Sequence, residues 1–512
     1  MGYSGQTYRL PLANAGFRPG TNTRSLEPTD LVICRNLDFV NNGLETRGGT
    51  EKMNTTALTG APEGRGGFDF QLSSSSHKVF ATSDGKLYKN TSSTIKTGMS
   101  TANYFSFDVF DGELVVCDGD TTPQTWDGSA GSTSNLTTPA ADWSGSNQPF
   151  QVITHGKGES RRAWYLYRRS AYYSVNANAK DVDSAGAGKI TIATDDARDL
   201  SGGVAFQDKL FLFSKMKSYL IDDADADVAN WGYQSAPWEG GAAHWRVVVK
   251  TPYDLLIMAE DGEIYSVRAA QEYGDYKAAS ITKESFIDAW FRDNVDLEYI
   301  EKFHACYDRR QRCVRFWVVR SGQTTPDTCL KFYIDRSLKN AWAIDDNLST
   351  SSGFKAACSY PCKDTDGIFR IYTVDHAGFQ WRLGASSRSD EGNAYYTGFK
   401  IAPNFMENPR IRKHFRRLLL SLRHYGTHAV NVRVGVDGQT ASMQSIESGE
   451  ETLTFSWTFP VTFSDPGLFE QKIDFGSYGK WIDAEVYTNG ENEGFFCGDL
   501  QIDFKPTGVL AS

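Results

Sequence analysis

One short pattern recurs along this chain: an apolar run, an Asp-Gly pair, then a second apolar run. Ser83-Asp84-Gly85-Lys86-Leu87-Tyr88, Phe110-Asp111-Gly112-Glu113-Leu114-Val115 and Glu260-Asp261-Gly262-Glu263-Ile264-Tyr265 are the clear copies. Asp375-His376-Ala377-Gly378-Phe379-Gln380-Trp381 is a looser one. In the clearest copies an apolar strand precedes the pair, as in Lys78-Val79-Phe80-Ala81 and Leu255 to Met258. Asp-Gly supplies the positive φ angles of a tight hairpin turn. Repeated hairpins are the trace of stacked antiparallel sheets, and the architecture that stacks them radially is the β-propeller. Candidate blades fall near 64–90, 103–128, 148–176, 186–222, 245–268, 303–342 and 354–384. Their uneven spacing leaves the blade number open.

The rest of the chain agrees with an all-β reading. Lys209-Leu210-Phe211-Leu212-Phe213 and Val314-Arg315-Phe316-Trp317-Val318-Val319 are short, aromatic or β-branched, and bounded by turn residues, as strands are. Aromatic residues make up 13% of the chain and glycines number 47, a pairing of strand formers with turn formers. A short helix is expected only around Phe286 to Phe291, and Asp195 to Leu200 is too polar and short to assign. With 40% hydrophobic and 23% charged residues, the chain is folded and not disordered.

After the polar run Ala385 to Asn393 the pattern changes. Asp-Gly-x-Leu-Tyr copies cease and longer strands appear, including Arg416 to Leu422, Ala429 to Gly438, Lys480 to Tyr487 and Leu500 to Phe504. The clean alternation in 429–438 predicts a sheet with one wet face. The expected organisation is an N-terminal arm with lead-in strands over 1–60, a β-propeller over 61–390 and a C-terminal β-sandwich over 391–512.

The formal net charge of -10 argues against wrapping duplex DNA through a general basic surface, which needs Lys and Arg to neutralise phosphates. It leaves room for DNA that slides past. No apolar run is long enough to span a bilayer, and the start Met1 to Gln6 lacks signal-peptide regions. The expectation is folding in a cytoplasm, with the eight cysteines reduced.

Chemical constellations are few. Cys306 with Cys313 and Cys358 with Cys362 do not form the two closely spaced pairs of structural zinc, so buried thiols are expected. His414, His424 and His428 lie on a strand–turn–strand, where a gap of four does not align side chains as it does on a helix. Asp222 to Asp227 lacks the sixth-position glycine and twelfth-position glutamate of a calcium loop and reads as a solvated acidic turn. The stretch Thr373 to Trp381 approaches the Asp-box of sialidase propellers, with glycine and tryptophan one place late, and no paired carboxylates can be assigned to a hydrolase. Nucleophile elbows, phosphate loops and His-Glu-x-x-His motifs are absent. No enzyme activity, cofactor or metal is expected.

Two basic clusters stand out: Arg309, Arg310, Arg312 and Arg315, and Arg410, Arg412, Lys413, Arg416 and Arg417. Arginine forks suit carboxylates and phosphates alike. On an acidic protein they are candidates for a subunit interface before DNA.

The opening Cys34-Arg35-Asn36-Leu37-Asp38-Phe39, then Gly43-Leu44-Glu45-Thr46-Arg47-Gly48-Gly49, resembles the N-terminal region of tail nozzle and packaged-DNA stabilisation proteins of short-tailed phages. So do Arg416 to Leu420, Val432 to Asp437, Phe475 to Gly479, Leu500 to Lys505 and Gly508-Val509-Leu510 at the other end. The resemblance spans most of the chain in order, with motifs that are individually weak. It implies a propeller with appended β domains in a virion tail. It further implies a homo-oligomeric ring, often a hexamer, below the connector, holding packaged double-stranded DNA until ejection. Connector or adaptor proteins and tail fibre or needle proteins are the implied neighbours. A receptor-binding or glycan-processing propeller and a generic protein-interaction scaffold are the alternatives.

Overall fold

The computed structural model describes residues 5–19, 26–40, 42–73, 75–193, 198–225, 227–269, 276–285, 287–346, 355–406, 408–447 and 469–509. It is a β-propeller carrying a β-sandwich. Among the described residues, seven four-stranded antiparallel blades form the propeller. Their inner strands are Gly64–Gln71, Ser106–Phe110, Gln151–His155, Gly202–Phe206, Val248–Lys250, His304–Asp308 and Ala356–Lys363. Each blade runs outward by hairpins, and the inner strand of the seventh packs back against that of the first. The seventh blade has three strands from its own stretch, and its outermost strand is Gly49–Lys52 from the other end of the chain. That exchange ties the ring shut.

The hairpins turn where the Asp-Gly pairs stand. Gly85, Gly112 and Gly262 have φ of +71°, +81° and +82°. Asp111 is itself at +50°, so Asp111-Gly112 has both central residues in the left-handed region, as a type I′ turn requires. Gly85 closes Thr82 onto Lys86, its N–H donating to the Thr82 carbonyl at 3.0 Å.

Apolar clusters fill the wedges between blades. Phe70, Leu87, Leu114 and Trp126 occupy the first wedge, and Trp164, Leu210 and Tyr219 the third. Each fully buried side chain of this size contributes about 1.5–3 kcal/mol. The wedge between the fifth and sixth blades is different, because its core continues without a break into the sandwich.

The sixth blade is the reason. Its outer strand Trp342–Asp345 pairs in parallel with Asp30–Arg35, which pairs with Thr397–Ile401, Ile482–Thr488, Val430–Val436 and Gln439–Ile446 in turn. The second sheet of the sandwich runs Phe469–Gly479, Ile411–Tyr425, Gly494–Val509, Gly43–Thr46 and Leu37–Val40, with Gln6–Pro11 also on Gly494–Val509. The described strands within 1–60 therefore do not make a separate arm: they divide between sandwich and seventh blade. The candidate blade at 186–222 also needs correcting. Gly188–Thr191 closes the third blade, and the fourth runs from Gly202 to Ser235. The expected short helix lies at Asp288–Asn294, and a second, unexpected one at Ile281–Glu284 precedes it. Phe286 and Asp195 to Ala197 fall outside the described residues.

Candidate functional site

The motif at 34–49 forms the joint between sandwich and propeller. Asn36 sits at φ +56°, a conformation asparagine tolerates better than most. Its amide donates to the Tyr396 carbonyl at 2.6 Å and to Asp346 at 3.2 Å. Its side-chain oxygen accepts from Arg47 Nε at 2.9 Å and from the Asp346 N–H at 3.0 Å. Arg47 stacks over the Tyr395 ring, 4.0 Å from its centroid. Gly43 and Gly49 are needed for close approach: a Cβ there would overlap the carbonyls of Cys497 and Ser389.

Beneath that joint lies a buried charge network. Lys331 is fully buried, and its ammonium reaches Asp38 at 2.6 Å and Asp345 at 2.7 Å. Burial alone would lower the Lys331 pKa, but Asp345 and Asp38 outweigh it and raise it. Asp38 also accepts from Tyr333 Oη and Gln311 Nε2. Arg315, directly opposite Lys331 in register, binds Asp345 at 3.0 Å and Asp308 at 3.1 Å. Like charges face to face destabilise a sheet, so the interleaved carboxylates are what make this pair tolerable.

This placement corrects two of the basic interface candidates. Arg315 is 4% exposed and belongs to the internal network. Lys413 is 1% exposed, its ammonium donating to the carbonyls of Asn408, Ile411 and Lys480 at 2.6, 3.0 and 3.2 Å. Neither can serve an exposed interface. Of the others, Arg309 lies exposed over the Phe369 ring, and Arg312 forks onto Asp335. Arg410, Arg412 and Arg416 are exposed, with Arg412 over Tyr478. Arg417 pairs with Asp503 at 2.7 Å.

Arg310 and Arg312 line an open groove of about 860 Å³ between the sixth and seventh blades and the sandwich strands Leu37–Val40 and Gly43–Thr46. Arg336, Arg370, Arg382 and Arg388 line it as well, against Asp38, Glu45, Glu51 and Asp335. No residue of the 410–417 cluster lines this groove. The arginines that sequence reasoning missed come from four separate strands and loops, so no local run could have marked them.

The remaining constellations have local partners. All eight cysteines are buried and unpaired, and burial pushes the Cys306 and Cys358 thiols up to about 12. His424 Nδ1 lies 3.2 Å from the His428 carbonyl, and His428 Nε2 accepts from the Gly494 N–H at 3.1 Å. His414 stacks on Tyr478. Asp225 accepts from the Asp227 N–H and Asn230 Nδ2, and Asp223 faces His155 at 3.3 Å. Asp375 accepts from the Ala377 and Phe379 N–H groups and from Trp381 Nε1, the work of a structural turn. Among the described residues, no group of three or more His, Cys, Asp or Glu is placed to hold a metal, and no helix is long and apolar enough to cross a membrane.

No family model matches the chain, and no curated protein does. Among solved structures it is similar to BBS1N in complex with ARL6DN, at 7% identity and TM-score 0.41, covering 67% of this chain and 97% of that one. The extracellular domain of the hybrid two-component system BT4673 from B. thetaiotaomicron matches at 9% identity and TM-score 0.40, over 68% of this chain and 41% of that one. YCF48 bound to D1 peptide matches at 9% identity and TM-score 0.37, over 65% and 94%. At such identities these are likenesses of fold alone, and it is the closed ring of sheets that defines this chain as a β-propeller with an appended sandwich.

Proposed function

We propose that this protein is a non-enzymatic structural component of a virus particle: a tail nozzle subunit of a short-tailed phage. In this reading, copies form a ring that extends the connector channel, retains packaged DNA and supports its ejection. The observation that carries it is the meeting of the two ends of the chain. The segments that resemble nozzle proteins lie at opposite ends of the sequence. Gly43–Thr46 and Leu37–Val40 nevertheless continue the sheet of Ile411–Tyr425 and Gly494–Val509. The motif residues Asn36, Asp38 and Arg47 tie that sandwich to the sixth blade and the end of the seventh.

A channel wall under load needs such a joint. The shared sheet and buried charges resist hinging, since breaking a buried pair costs about 3–5 kcal/mol. A closed ring needs two different complementary patches per subunit, because head-to-tail contacts are heterologous. The arginine-lined groove and the exposed Arg410, Arg412 and Arg416 offer basic faces on an acidic protein. The test is a co-sedimentation of the purified chain with isolated connector particles. Joint sedimentation supports the reading; a chain that stays at the top with connector in excess removes it.

A further inference from the structure

The arginine-lined groove carries two cations without a counter-charge among the described residues. Each of its four carboxylates already has a partner: Asp38 holds Lys331, Glu45 holds Arg388, Glu51 holds Arg382 and Asp335 holds Arg312. Arg370 forks onto Asp366. Arg310 and Arg336 remain. Arg310 is exposed, and no carboxylate pairs with it among the described residues. Its Nη1 lies 3.7 Å from where a Cβ on Gly384 would stand, and Gly384 is groove wall, so this guanidinium reaches across toward the seventh blade. Arg336 lies over the ring of Phe39, another wall residue, 4.1 Å from its centroid. Its Nε donates to the Asn340 carbonyl and its Nη2 to those of Ala13 and Ala15. No carboxylate pairs with it among the described residues either, and burial pushes its pKa below the ordinary range.

The fourth blade carries carboxylates in the same state. Asp222, Asp225 and Asp227 are exposed, and no cation pairs with them among the described residues. Asp225 and Asp227 accept only from their neighbours Asp227, Asn230 and Ala229. The first and third strands of an antiparallel blade run in the same direction. Arg310 follows the first strand of the sixth blade and Arg336 the third, while Asp222 ends the third strand of the fourth. Groove and acidic turn therefore open on one face of the propeller. They stand two and a half blades apart in a ring of seven, roughly 130° about its axis. They cannot meet within one chain.

We infer that the groove receives the acidic turn of a neighbouring copy, with Asp222, Asp225 and Asp227 supplying the counter-charges of Arg310 and Arg336. The contact is head-to-tail, because groove and turn are different patches. Patches set roughly 130° apart close a ring of about six to eight copies when the propeller axes stand parallel. Duplex DNA suits the groove less well. A phosphate track needs cations without acids between them, and here Glu45, Glu51 and Asp335 interrupt the arginines. A protein turn meets interleaved charges with carboxylates and N–H groups of its own. The inference rests on the nozzle reading, which supplies the ring, and names the segment that joins its subunits.

Native mass spectrometry of the full chain on isolated connector, over a dilution series, tests it with two charge reversals. Arg310→Glu and Asp222→Lys lie at exposed positions, so their melting temperatures should match that of the native chain. Each should raise the concentration at which rings come apart about tenfold or more. The chain carrying both should return to within about threefold of native, because each interface then pairs a reversed groove with a reversed turn. If a reversal unfolds the chain, Arg310→Gln and Asp222→Asn take its place. Each should then weaken rings about threefold, and the two together no more than either alone. Single variants whose rings are as tight as native overturn the inference and leave the nozzle reading standing. So does a double reversal no tighter than the single ones, or additive losses in the neutral pair. A chain that stays monomeric beside excess connector overturns both.

Discussion

Arg47 and Asp390, separated by 343 positions in sequence, form a two-pronged ion pair at 2.9 and 2.7 Å. Their side chains are 5% and 3% exposed. The pair lies where Gly49–Lys52 leaves the sandwich to close the seventh blade, so one contact holds both the ring closure and the joint. Removing either partner strands a buried charge. Arg47→Met or Asp390→Leu should each cost about 3–5 kcal/mol in urea unfolding, and the double variant should cost less than the sum of the two. Additive losses would mean that the two residues act independently.

The turn glycines differ in what surrounds them, and their substitution costs should differ too. A Cβ on Gly85 would crowd the Met99 carbonyl at 2.5 Å, and one on Gly262 would meet the Phe291 ring, whereas nothing lies within 4 Å of Gly112. Gly85→Val and Gly262→Val should lose roughly 1–2 kcal/mol or more. Gly112→Ala should lose only about 1 kcal/mol, from its positive φ alone. Thermal unfolding ranks the three, and equal losses would contradict the crowding argument.

Stability should fall in acid in two stages. Burial, with Arg246 close by, holds His244 down to about 3, against about 6.5 when unfolded. A pKa depressed on folding gives stability that is complete above the unfolded value and lost as pH falls toward the folded one. The His244 contribution therefore declines from about pH 6.5 downward. Asp364 follows at lower pH. Burial alone would raise it, but Arg382, the Thr365 N–H, Tyr372 and Lys78 bring it down to about 2, so its contribution is lost from about pH 4 to 2. Asp364 joins Lys78 of the first blade to Arg370 and Arg382 of the seventh. His244→Gln should flatten the stability profile between pH 6.5 and 4, and Asp364→Asn the profile below pH 4. Unchanged slopes would show that other groups carry the acid response.

The hairpins were legible because an Asp-Gly turn is a local event, marked where it occurs. Sheet order was not, since strand exchange pairs residues hundreds of positions apart, as in Leu383 against Thr50. The weak strand Gly188–Thr191 was assigned to the wrong blade because its four residues carry little apolar pattern. Arg315 passed for a surface charge because its neighbours on one side, Arg309, Arg310 and Arg312, are exposed. The sign of burial was on its other side: Arg315 interrupts Val314, Phe316, Trp317 and Val318, a run apolar on both faces. Lys331 sits in Cys329-Leu330-Lys331-Phe332-Tyr333 in the same way.

The central claim concerns assembly, and the mass of the complex formed with the connector tests it most directly. A nozzle subunit should bury well above about 1,600 Å² against its ring neighbours, enough to survive dilution. Native mass spectrometry of the full chain mixed with isolated connector should therefore show several copies bound as one closed ring. A chain that stays monomeric beside free connector contradicts the account.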